Sequence, residues 1–100
     1  MKYFLTYQLD LVEENIPKIR EIMKERGKQG IGLSELAKRG ELKWVLPFHF
    51  MIAEQTMIGV IDVDDPNIVM KWLMDHGRYA TVHATHIIER HPYAEKYGDL

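Results

Sequence analysis

The chain has 100 residues, 46% of them hydrophobic and 28% charged, with a formal net charge of -2 and no cysteine. That composition fits one globular domain spanning the chain, burying roughly 60–65% of its unfolded surface, and excludes disordered and fibrous classes. The missing cysteines exclude disulfides, thiolate nucleophiles and cysteine-type zinc sites, and the interspersed charges leave no basic stripe to draw nucleic acid.

The first ten residues lack the apolar core and small-residue cleavage site of a secretion signal, and no run approaches the ~18 apolar residues of a membrane span. A cytoplasmic protein with no membrane partner is expected. Over residues 3–9 the odd positions Tyr3, Leu5, Tyr7 and Leu9 are apolar or aromatic while Thr6 and Gln8 interrupt the even face, which marks a half-buried strand. Ile16, Ile19, Ile22 and Met23 then share one side of a helix, with Pro17 in its first turn, Asn15 as a cap and Gly27 as its stop.

Three glycines in the 27–32 stretch mark a turned connection. Its Lys28 does not make a phosphate loop, because it is followed by glutamine and comes after a helix rather than a strand. Ser34 is placed to cap one or two helical turns through Arg39. Leu42, Trp44, Leu46, Phe48, Phe50 and Ile52 form an even-numbered apolar series, read as a long strand with one apolar face. Pro47 removes a donor from it and argues for an edge position or a bulge.

A short turn at 53–55 leads into a strand over 56–64 and completes an antiparallel hairpin. Asp65 and Pro66 are a helix start: the carboxylate can accept from first-turn N–H groups, and proline gives up no needed donor. The helix they open carries Val69, Trp72, Leu73 and His76 on one stripe, with Met70 and Met74 beside it as further core, and Gly77 as its stop. The last strand, over 80–89, puts Val82, Ala84, His86 and Ile88 on one face and Thr81, His83, Thr85 and Ile87 on the other. His91 and Pro92 end it, and 93–100 reads as a tail.

The resulting order is βαββαβ, an α+β ferredoxin-like arrangement with both helices on one face. Right-handed crossovers then favour sheet order 4-1-3-2, with the second and fourth strands at the edges. The opposite face stays uncovered.

Met1-Lys2-Tyr3 opening the first strand, Gly59-Val60-Ile61-Asp62-Val63-Asp64-Asp65-Pro66, the helical Trp72-Leu73 and the closing strand over 82–89 together resemble the dimeric α/β-barrel superfamily, and within it an uncharacterised branch of about the present length. The resemblance implies a homodimer, or a higher oligomer, in which two sheets pack face to face around a ligand space. It also implies the range of the superfamily: cofactor-free monooxygenases, small isomerases and dehydratases, haem-handling proteins and ligand-binding regulatory domains. In such a dimer the second strand of one protomer lies near the fourth of its partner, which brings His49 toward the second chain's counterpart of His83.

Parity groups Thr6, Gln8, His49, His83 and Thr85 on the uncovered face, a set of convergent polar groups suited to a small molecule. His49 and His83 are the candidate general acid/base residues, since imidazole titrates near neutrality. His83 and His86 have helical metal-ligand spacing but lie three apart on a strand, where they face opposite ways. Asp62 and Asp64 alternate away from Asp65, which is committed to capping. No metal or cofactor is expected. Tyr3 and Tyr7 share the apolar parity and belong to core or rim.

Three readings follow. The chain binds a small, partly apolar molecule between the sheets of a homodimer; or it is a small monooxygenase- or isomerase-type enzyme using His49 or His83; or the dimer is purely structural. The 27–40 segment is either a lid on the ligand space or a plain connection.

Overall fold

A computed structural model describes residues 1–8, 15–90, 96 and 98. Its elements run β1 (Lys2–Gln8), α1 (Ile16–Lys28), α2 (Leu33–Lys38), β2 (Leu42–Met51), β3 (Thr56–Val63), α3 (Pro66–His76) and β4 (Thr81–Ile87). The four strands form one antiparallel sheet of order β2-β3-β1-β4, the expected order read from the other edge. The architecture is α+β and compatible with a ferredoxin-like fold. No described helix is long and apolar enough to cross a membrane. The end of the last strand at His91 and Pro92 and the 93–100 tail fall almost wholly outside the described residues.

Alternation decides which side of the sheet the helices cover. Leu5 and Tyr7 of β1 and Ile61 and Val63 of β3 are fully buried, and they pack with Ile19 of α1, Leu36 of α2 and Val69 and Trp72 of α3. Asp65 caps α3 as its position suggests, its Oδ1 accepting from the Asn67 N–H at 2.9 Å with Pro66 next in the chain. A cap of this kind stabilises by about 1 kcal/mol.

Several local expectations are corrected. α1 does not stop at Gly27 but runs one residue further, and the left-handed turn falls on Gly30, at φ +68. The Gly30 N–H then donates to the Gly27 carbonyl and the Ile31 N–H to the Arg26 carbonyl, the paired bonds of a Schellman stop that glycine alone enters without strain. Asn15 holds the cap position of α1 but its side chain makes no capping bond. Gly32, not Ser34, precedes α2, so the serine sits inside the first turn. Met70 and Met74 lie outside the core, 56% and 68% exposed, because the stripe of α3 is narrower than the sequence pattern allowed.

The largest correction concerns β2. Its register with β3 shifts between Trp44 and Leu46 and again between Leu46 and His49. Each shift turns the following side chains to the other face. Leu46 therefore lies opposite Val60 on the uncovered side, while Trp44 stays over Ile61 on the helix side. The second shift restores the alternation, leaving His49 opposite Ile58 and Phe50 opposite Met57. Pro47 lies within the second shift, on an edge strand, the setting in which a strand tolerates a missing donor.

Candidate functional site

The sheet register fixes where the polar candidates stand. His49 pairs with Ile58, Ile58 with Thr6, and Thr6 with His83, so these four share one row across the uncovered face. The row puts the two histidines on opposite edge strands, three strand spacings or about 14 Å apart. They do not meet within one chain. His49 is exposed, with Nδ1 bonded to the Pro47 carbonyl at 2.6 Å. Gln8 and Thr85 are also exposed on this face, in neighbouring rows opposite Thr81 and Phe4. His86 faces the helix side, its ring 5.5 Å from that of Tyr3, so His83 and His86 diverge as strand geometry requires.

A more enclosed space lies on the other side of the sheet. A cavity of about 370 Å³ opens where α1, α2 and α3 meet above edge strand β2. That volume is within the range of small-molecule sites. Trp44, Phe48 and Trp72 make its floor and inner wall. The Trp44 and Phe48 rings meet edge to face at 5.1 Å, and Phe48 stacks on Trp72 at 6.3 Å. Ile31, Leu33 and Leu36 bring the wall opposite α3. The 27–40 segment is thus part of the site: two glycine stops set α2 across β2, the second at Gly40 with φ +77. Arg39 ties it back by donating to the Gly30 carbonyl and pairing with Glu41 at 2.8 Å.

Polar groups converge at the α3 end. Arg26 of α1 and Asp75 of α3 form an ion pair at 2.5 Å, bridging the two helices. Lys71 and Glu35 complete the charged lining, so two cations face two carboxylates and the cavity carries no net charge. Deeper in, the Tyr7 hydroxyl lies 3.1 Å from Nδ1 of His76. Tyr7 is 1% and His76 6% exposed, and their rings meet at 74° against Trp72. Burial pushes the Tyr7 phenol up to about 12. Burial also lowers His76 from its ordinary value, with the Arg26 charge acting the same way and the Asp75 carboxylate opposing. The imidazole is neutral at neutral pH.

This makes the fold acid-sensitive at one identifiable group. Below the ordinary histidine value of 6.5 the unfolded chain takes up a proton that the folded chain, with its lower His76 pKa, does not. Stability must fall as pH drops through that window, by at most about 1.4 kcal/mol per pH unit for one group. Urea midpoints of the wild type and His76→Gln, compared between neutral pH and about pH 5, should show a shallower loss in the variant. Equal losses would mean that His76 is not held neutral by the fold.

Sequence reasoning placed His76 on the stripe of α3 but gave it no chemical role. Its signal was present, since it is the one ionisable residue among Val69, Trp72 and Leu73. Compared with protein-family models and with curated proteins, the chain matches none.

Proposed function

We propose that the protein binds a small, largely apolar molecule in the helix-side cavity of each protomer, and that two copies associate through their uncovered sheet faces. The observation that carries this reading is the cavity itself, about 370 Å³ with three aromatic rings on its walls and a buried Tyr7–His76 pair at one end. The site lies on the opposite side of the sheet from Thr6, Gln8, His49, His83 and Thr85, which the pairing sets on the uncovered face.

A second copy suits that face. Leu46, Val60 and Phe4 form an apolar row across three strands, flanked by the polar row of His49, Thr6 and His83. With strands ~4.8 Å apart and ~3.4 Å per residue the face projects roughly 20 by 24 Å, somewhat over half of the ~800 Å² that one side of a standard interface covers. An enzyme working between the sheets is the second reading, favoured by the shared row of His49 and His83; it needs the partner chain to bring the two imidazoles together.

Native mass spectrometry of the gently purified protein, with denaturing analysis of what co-purifies, tests the proposal. A dimer carrying a small neutral compound is expected, and alanine at both His49 and His83 should leave that compound bound. Loss of the compound in the double variant would move the site to the sheet face, and a ligand-free monomer would refute both parts of the proposal.

A further inference from the structure

The Tyr7–His76 pair fixes the polarity of the cavity, and hence the chemistry of what it admits. The Tyr7 hydroxyl is buried, and among the described residues its one partner is Nδ1 of His76. If Nδ1 carried the imidazole proton, it would donate to the phenol oxygen and leave the phenol proton with no acceptor. An orphaned buried donor is strongly disfavoured. The phenol must therefore donate to Nδ1, which places the imidazole proton on Nε2.

Nε2 has no hydrogen bond among the described residues, yet no buried side-chain nitrogen or oxygen is without a partner. Nε2 therefore keeps access to solvent, and His76 lines the cavity. The ring that carries this neutral N–H donor thus borders an aromatic-walled space whose lining holds two cations and two carboxylates. A carboxylate ligand would lose hydration there, and Arg26, already paired with Asp75, has little charge left to match it.

We infer that the cavity is selective for an uncharged aromatic molecule bearing a hydrogen-bond acceptor such as a carbonyl oxygen, received by the Nε2–H of His76, with Tyr7 as the positioning residue that fixes the tautomer. This rests on the helix-side cavity being the binding site. Tyr7 does not touch the ligand. It acts by denying the imidazole its alternative tautomer, in which Nε2 would become an acceptor and the preference would invert.

Acetophenone, ethylbenzene and benzoate are matched probes: one ring with an acceptor, with none, and with a charge. The test is a titration of the ¹⁵N-labelled full chain with each, following the indole N–H signals of Trp44 and Trp72 and the ring nitrogens of His76. In the wild type, Nδ1 should show the shift of an unprotonated acceptor and Nε2 that of a protonated nitrogen, with only acetophenone perturbing Nε2–H. The ratio of acetophenone to ethylbenzene affinity, in which ring burial cancels, should fall roughly tenfold in His76→Phe. Benzoate should bind at least tenfold more weakly than acetophenone. Tyr7→Phe should give a mixture of tautomers while retaining the indole shifts.

The wild-type tautomer is read without any substitution, so it decides the matter even if a variant fails to fold. Protonation at Nδ1, an unchanged affinity ratio in His76→Phe, or benzoate binding as well as acetophenone would overturn the inference while leaving the cavity as the site. Unmoved indole signals with all three probes would instead overturn the reading on which it rests.

Discussion

Trp72→Ala is expected to destabilise the protein by about 3–5 kcal/mol, the range for deleting a large buried aromatic. Trp72 is buried in α3 and its ring is shared by three others: Tyr7 at 6.1 Å, Phe48 at 6.3 Å and His76 at 5.7 Å. Removing it opens a hole at the junction of helix layer and sheet, and it exposes the Tyr7–His76 hydrogen bond to water. Against a total stability of about 5–15 kcal/mol for a domain of this class, that loss leaves little reserve. The melting temperature should fall by at least about 12 °C. Trp72→Phe keeps a ring in place and should recover much of the loss. Thermal denaturation of the two variants checks this, and an alanine variant melting within a few degrees of wild type would show that the cluster is not the centre of the core.

The second large effect is expected from a glycine. Gly59 is buried in β3, opposite Leu5. A Cβ built there would meet Phe48 Cδ1 at 3.0 Å, Trp44 Cζ3 at 3.2 Å and the Leu46 carbonyl oxygen at 3.3 Å. In an open strand, glycine to alanine is stabilising by roughly 0.5–1 kcal/mol. Here the added methyl has rings on one side and backbone on the other, so overpacking prevails and Gly59→Ala should cost about 1–3 kcal/mol. Gly59→Val should cost more. Because Trp44 and Phe48 also floor the cavity, the alanine variant should change near-ultraviolet dichroism of the tryptophans and weaken ligand binding. An alanine variant as stable as wild type would show that both rings can move aside.

These two residues also mark what the sequence disclosed and what it withheld. Trp72 was readable as core from its stripe with Val69 and Leu73, and the 65–66 helix start anchored the element order from which the sheet order followed. The role of Gly59 was not readable, because the Phe48 ring that crowds it, beside Trp44, lies in the stretch where the register of β2 shifts. Pro47 announced an irregularity near that point but not that two shifts would cancel, turning Leu46 alone to the uncovered face. The stop of α1 was misplaced for a related reason. Local propensity could not rank Gly27 against Gly30; the hydrogen bonds that close around Arg26 decide it.

The sheet-face residues landed where alternation put them, since parity is a local property that survives the paired shifts. The cavity did not announce itself. It is assembled from 23–36, 44–48 and 68–76, three stretches brought together only by the packing of α2 on β2 and of α1 on α3. Its inner polar group was visible only as an ionisable residue on an apolar stripe, and its hydrogen-bond partner Tyr7 lies 69 positions away in the chain.

The most direct test of the central claim is a map of backbone amide and indole shifts on adding acetophenone to the ¹⁵N-labelled wild type. Both tryptophans of the chain line the cavity. Occupancy should therefore move both indole signals together with the amides of Ile31, Leu33 and Leu36, and leave Thr6 and His83 still. Shifts confined to Thr6, His49 and His83 would place the ligand on the sheet face and contradict the account.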